Sequence, residues 1–207
     1  MVACAETSLG QCDWRSAAVF TEKADTLASS KSLAGARSTA PMRQRIGSLQ
    51  GQLDAEAQRR LKQSRQGDAK QNYAESLKGY RSIVTDFPSR PCAAEARKAL
   101  AAAAADPKRK GLLDQIVAAE MEQSIAGLLK RAEGPGANSG SRVERIKALK
   151  APTQATVVAE LEKLATQYPS SSQGRRAAAD LKTLRADKDY QGAPDKQGGP
   201  KKTQSPA

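Results

Sequence analysis

"YRSIVTDFPSRPCAAEARKAL" occupies Tyr80 to Leu100, and "LEKLATQYPSSSQGRRAAADL" occupies Leu161 to Leu181. With a shift of 81 positions, Tyr80 falls on Leu161, Ile83 on Leu164, Phe87-Pro88-Ser89 on Tyr168-Pro169-Ser170, Ala96 on Ala177 and Leu100 on Leu181. Asp106 and Asp187 continue the register. Identities are few, but apolar positions match almost one for one. Each copy carries a stripe of apolar residues spaced by three or four, the signature of a helix with one buried face. Tyr73, Leu77, Tyr80, Ile83, Val84 and Phe87 form the first stripe, and Val157, Val158, Leu161, Leu164, Ala165 and Tyr168 the second. Proline disfavours helical geometry in the residue before it, so Pro88 and Pro169 stop these helices at the aromatic. An alanine-rich segment then restarts a helix whose small side chains let it lie close to the one before. Phe87 and Tyr168 are thereby expected to be equivalent buried plugs at the ends of two helix pairs.

The flanking chain reads the same way. Residues 2–10 are expected to form a short helix. Asp13 can accept from the free amides of a helix running to Ala28, with Trp14, Ala17, Ala18, Phe20, Ala24 and Leu27 or Ala28 inward. Ser29 to Ala40 is read as a loop. Pro41 suits the first turn of a further helix, whose inward positions are Met42, Ile46, Leu49, Leu53, Ala57 and Leu61. Gly67-Asp68 is expected to end that helix and start the next. Asp106-Pro107 introduces another helix, rich in Leu and Ile from Leu112 to Leu129, before a glycine- and serine-rich loop from Glu133 to Ser141. Arg142 to Lys150 is expected to form a short helix broken at Pro152, and Ser170 to Ser172 to cap a last helix over about 173–187. From Asp189 the sequence "DYQGAPDKQGGPKKTQSPA" has the composition of a disordered tail.

Composition supports helices in close contact over a β-sandwich. Only 39% of the 207 residues are apolar and 3% aromatic, and alanine supplies much of the apolar share. The net charge of +12 is spread along the chain: +3 over 1–68, +5 over 69–110, +1 over 111–152 and +3 over 153–207. Its densest run is Lys108-Arg109-Lys110, without the clustered stripe and interleaved aromatics of a nucleic-acid site. A basic solvated surface is the preferred reading, and no specific nucleic-acid partner is expected. No segment has the apolar length of a transmembrane helix. The N-terminus lacks the basic start and apolar run of a signal peptide, so the expected location is the cytoplasm, with periplasm or cell envelope as the alternative if the true start lies upstream.

The residues offer little for catalysis. The chain has no histidine, the commonest general base near neutral pH. Its carboxylates are scattered, as in Glu160/Glu162 and Glu120/Glu122, and residues two apart on a helix point in different directions. Cys4, Cys12 and Cys92 make no C-x-x-C pair or metal-ligand pattern, and Cys92 is read as a small buried thiol. The loop at 133–141 lacks the strand before it and the Lys-Ser/Thr after it that a phosphate-binding loop requires. No catalytic, cofactor-binding or metal-binding residue is assigned, and no cofactor is expected.

"NYAESLKGYRSIVTDFPSR" resembles the second half of a tetratricopeptide repeat. That family's second helix carries an aromatic near its start, small and apolar residues every three or four, and a proline at its exit. Tyr73, Ser76, Leu77, Tyr80, Ile83 and Pro88 match that spacing, and Val157, Leu161, Leu164 and Pro169 supply a second copy. Trp14 and Ala17 begin a third, degenerate one. The aromatic-Pro-Ser ending is similar to a variant common in bacterial cell-envelope repeat proteins, and such hairpins also occur beside thioredoxin-like domains. The resemblance implies an all-α fold of stacked antiparallel helix hairpins with a disordered C-terminal tail. The expected organisation is a degenerate hairpin over 1–40, repeat-like units over 41–106 and 107–188, an insertion at 133–152, and the tail at 189–207. The structural motif is Tyr73, Leu77, Tyr80, Ile83, Phe87, Pro88 and Ala96, with Leu161, Leu164, Tyr168, Pro169 and Ala177 in the second copy. The implied function is a non-enzymatic scaffold binding another protein. Two alternatives are an accessory region of a larger thioredoxin-like or cell-envelope protein, and weak non-specific binding of nucleic acid through the basic surface.

Overall fold

A computed structural model describes residues 1–11, 13–29, 39–133, 140–187 and 190. The protein is all-α: the described residues form nine helices and no strand. The helices are α1 (Val2–Gly10), α2 (Trp14–Ala28), α3 (Thr39–Ala69), α4 (Tyr73–Asp86), α5 (Pro91–Ala105), α6 (Pro107–Glu133), α7 (Arg142–Lys147), α8 (Ala151–Gln167) and α9 (Ser172–Ala186). Cys12, most of the expected loop at 29–40, most of the glycine-rich stretch at 133–141 and the expected tail, apart from Tyr190, lie outside the described residues.

The helices form two compact units, Met1–Ile116 and a second from Val117 onward. The division falls inside α6, not at the expected boundaries of 40 and 106. The reason is that Leu112, Leu113 and Ile116, on the first turns of α6, pack with Leu77, Leu100 and Ala103 of α4 and α5. The expected N-terminal hairpin is likewise not separate, because Ala17 and Ala18 of α2 share one core with Leu53, Ala57 and Leu61 of α3 and with Tyr80, Ile83, Phe87, Cys92, Ala93 and Ala96.

In the first unit, consecutive helices from α1 to α5 pack pairwise, α1 also touches α3, α2 touches α4, and α3 touches α5. Antiparallel order is recorded by the contacts. Arg43 of α3 donates to Ala28 O at the end of α2, while Arg60 lies over Trp14 at its start. Asp13 caps α2 by accepting from Ser16 N at 3.1 Å. The inward face of α2 is made of small residues, Ala17, Ala18, Thr21, Ala24 and Ala28, whereas Leu27 is exposed and Phe20 half-buried. On α3, Ile46, Leu49, Leu53, Ala57 and Leu61 are buried as the spacing predicts, and Met42 is exposed.

Gly67-Asp68 does not end α3. The helix runs to Ala69 and closes with Asn72 N bonded to Gly67 O at 2.9 Å and Gln71 N to Asp68 O at 3.0 Å. This is a Schellman closure, and Gln71 occupies the left-handed position usually given to glycine, with φ 59°. Gly67 serves a different need, described below.

The 81-residue repeat is present in the backbone. Phe87 ends α4 at φ −130°, ψ 50°, and Tyr168 ends α8 at φ −128°, ψ 50°. Phe87 N bonds Ile83 O at 3.0 Å, and Tyr168 N bonds Leu164 O at 3.1 Å. Helices α5 and α9 then start, and later end at Asp106 and Asp187, in the same register. The second unit's core joins Ala118, Ile125 and Leu129 of α6 with Ile146 of α7, Val157, Leu161 and Leu164 of α8, and Ala177, Leu181 and Leu184 of α9. Phe87 is fully buried, but Tyr168 is only partly so, which corrects the expectation of equivalent plugs. The physical reason is that Phe87 is covered by the chain's single tryptophan, Trp14, with ring centroids 6.2 Å apart.

Candidate functional site

The residues of the sequence motif form cores. Leu77, Tyr80, Ile83, Phe87, Ala96, Leu161, Leu164 and Ala177 are buried, Tyr73 and Tyr168 are half-buried, and Pro88 and Pro169 are exposed in their turns. They are divided between the two units, Leu77, Tyr80, Ile83, Phe87 and Ala96 in the first and Leu161, Leu164 and Ala177 in the second. Tyr80 donates its hydroxyl to Asp68 Oδ2 at 3.0 Å, tying α4 to the end of α3. Burial, reinforced by that carboxylate, pushes its phenol up to about 12. Arg109 lies over the Tyr73 ring at 4.1 Å and pairs with Asp106 at 3.4 Å. Cys92 is buried and its thiol is pushed up by burial, which suits a packing role better than a nucleophile's. Cys4 is exposed.

A groove of about 670 Å³ runs along the α3–α4 hairpin, away from this core. Its floor is set by two short sequences, Ser64-Arg-Gln-Gly67 on α3 and Ser76-Leu-Lys-Gly79 on α4. Because the helices are antiparallel, the serine of each meets the glycine of the other. A Cβ on Gly67 would collide with Ser76 Oγ, and one on Gly79 with Ser64 Oγ. Both glycines leave room for the hydroxyl of the facing serine, and an alanine at either would oblige that hydroxyl to rotate away. The buried hydroxyls remain satisfied: Ser64 Oγ donates to Arg60 O and Ser76 Oγ to Asn72 O, each at 3.0 Å. The reading of apolar stripes missed this crossing. The signal was the repeated Ser-x-x-Gly, which spacing rules for large apolar residues do not register.

One end of the groove is anchored by Arg60. Its guanidinium donates to Glu56 Oε1 at 2.8 Å, Ser82 Oγ at 2.9 Å and Asp86 Oδ2 at 2.7 Å, and lies 5.7 Å from the Trp14 ring and 5.4 Å from that of Phe87. Arg59 also binds Glu56. Hydrogen bonds from Arg59, and then Arg60, hold the Glu56 carboxyl below its ordinary value against the opposing effect of burial. Toward the other end stand Lys70 and Lys78, exposed and without an ion-pair partner among the described residues. A smaller pocket of about 430 Å³ between α1 and α3 is bridged by the Arg45–Glu6 ion pair.

The second unit carries its own arginine cluster. Arg142, at the start of α7, pairs with Glu122 of α6 and lies 3.2 Å from Asp180 of α9. Its side chain is only 9% exposed, and its Nε and Nη2, with Asp180 Oδ2 and Glu122 Oε2, make no hydrogen bond among the described residues. Burial pushes the Asp180 carboxyl above its ordinary value, Arg142 and Arg176 oppose this, and Glu122 adds to it.

Among the described residues no group of three or more His, Cys, Asp or Glu side chains is placed to hold a metal ion. No described helix is long and apolar enough to cross a membrane. Comparison with protein-family models, with curated proteins and with solved structures finds no match for the chain.

Proposed function

We propose that this chain is a non-enzymatic helical scaffold, of the tetratricopeptide-like kind its hairpins resemble, that binds another protein. The observation that supports this reading most is the open polar groove on the α3–α4 hairpin. Its side chains project from two helices locked together by the Ser–Gly crossing and the Arg60 cluster, so a partner would meet a surface already in place. The absence of histidine from the chain agrees with a binding role. The test begins with affinity capture on the immobilised full chain and continues with reconstitution from purified components. A captured protein that forms a saturable complex of fixed stoichiometry supports the scaffold. If no purified candidate forms such a complex, the reading fails.

A further inference from the structure

We infer that the α3–α4 groove takes an extended acidic peptide segment of the partner. The inference rests on the scaffold reading and specifies its chemistry. Arg59, Gln63 and Gln66 of α3, and Lys70 directly after its last residue with its N still bonded to Gln66 O, follow at intervals of four, three and four, so they form one row along the groove. At about 1.5 Å per residue the row is roughly 16 Å long, the length of about five residues of extended chain. Every member ends in a hydrogen-bond donor; Arg59 is already paired with Glu56, and Lys70 is a cation without an ion-pair partner among the described residues. Lys78 of α4 adds a second unpaired cation on the facing wall, Arg59 and Arg60 being held by Glu56 and Asp86. Glu75, the carboxylate that lines the groove, accepts from the neutral Asn72 Nδ2 and keeps its charge, so the attraction for an acidic ligand centres on Lys70 and Lys78.

A ligand matching this row must be rich in acceptors and negative in charge. Two classes of macromolecule fit that description, and the lining distinguishes them. It contains no aromatic side chain on which a base could stack. The Gln63 and Gln66 amides offer carbonyl acceptors as well as donors, which suits the alternating N–H and C=O of a peptide backbone. Lys70 and Lys78, without an ion-pair partner among the described residues, then receive Asp or Glu carboxylates.

The test titrates a labelled hexaglutamate peptide into the full chain at about 0.1 M salt, with circular dichroism to establish that each variant is folded. Lys70→Glu/Lys78→Glu is compared with Lys23→Glu/Lys98→Glu, which changes net charge equally at exposed residues of the same unit that do not line the groove. The groove pair should weaken binding by about tenfold or more, and the control pair by less than about threefold, since remote charges are screened beyond roughly 10 Å at ordinary salt. Gln63→Ala/Gln66→Ala should weaken binding without changing the salt dependence. Failure of the wild-type chain to bind hexaglutamate would overturn the inference, as would equal losses in the two charge pairs. Tighter binding of a single-stranded oligonucleotide of similar length, lost with the same two lysines, would also overturn it. A reconstituted partner that binds the Lys70→Glu/Lys78→Glu variant normally would remove the groove as its site and leave the scaffold standing.

Discussion

The α4–α5 and α8–α9 hairpins share a backbone and differ in nearly every device that holds it. Their end-cap angles agree within a few degrees, yet α5 begins with Pro91 after an uncapped Arg90, while α9 begins after Ser171, whose hydroxyl accepts from Gly174 N at 2.9 Å. Proline at the first turn removes a backbone donor that would lack a partner, whereas the serine satisfies one. Ala93 is buried at the first close approach, and Gly174 stands at the corresponding place in the second copy, where a Cβ would strike the Tyr168 carbonyl. Identical turns are thus reached at different helix separations. What the two copies have in common is the aromatic-proline stop and the spacing of apolar residues, because these dictate where the chain turns. The rest has followed each unit's own packing.

The largest effect should come from the aromatic. Phe87→Ala should destabilise the first unit by about 3–5 kcal/mol, since the ring is fully buried beneath Trp14 and Arg60. Tyr168→Ala should cost distinctly less, because that ring is partly exposed. Denaturant unfolding followed by hydrogen exchange in each unit measures both, and equal losses would break the distinction. Gly174→Ala should cost about 1–3 kcal/mol in the second unit, because the obstacle is backbone and not a flexible side chain. Ala93→Gly, the reciprocal exchange, should cost about 1 kcal/mol through helix propensity and lost contact. If Gly174→Ala were neutral, the two hairpins would have the same separation after all.

Removing the Ser171 cap by Ser171→Ala should cost about 1 kcal/mol, seen as faster exchange of the first amides of α9. Arg90→Ser should recover little at the matching position, since Pro91 already meets the need there.

The slightest expected effect is a difference in pH response between the two arginine clusters. Folding raises Asp180 above its ordinary 3.8, so the folded state binds the proton more tightly and the second unit loses stability as pH rises from 3.8 through the folded value. Glu56 is lowered from 4.5, so its contribution to the first unit is present above 4.5 and lost as pH falls through its folded value. Hydrogen exchange on the two units in the acid range should show opposite slopes from these groups, Asp180 acting above 3.8 and Glu56 below 4.5. Asp180→Asn should flatten the second and leave the first unchanged. The same slope in Asp180→Asn as in wild type would assign the dependence to another group.

Much of this was written in the sequence. Three-to-four spacing marked the buried faces of α3, α4 and α8, because a helix buries whatever recurs on one side. Proline placed the stops at Phe87 and Tyr168, and the 81-residue register placed the restarts, all of them local steric effects. Tertiary structure decided what local rules cannot weigh. Gly67 looked like a helix end, but the approach of Ser76 across the hairpin gives it a place within α3, and the left-handed turn passes to Gln71. Asp106-Pro107 looked like a boundary, yet Leu112, Leu113 and Ile116 pack back onto the α4–α5 core, so the first unit extends into α6. The candidate groove belongs to the same class of information. Lys70 follows the end of α3 and Lys78 lies on α4, and only the packing of those two helices, with each serine set against the other's glycine, brings them to one cleft.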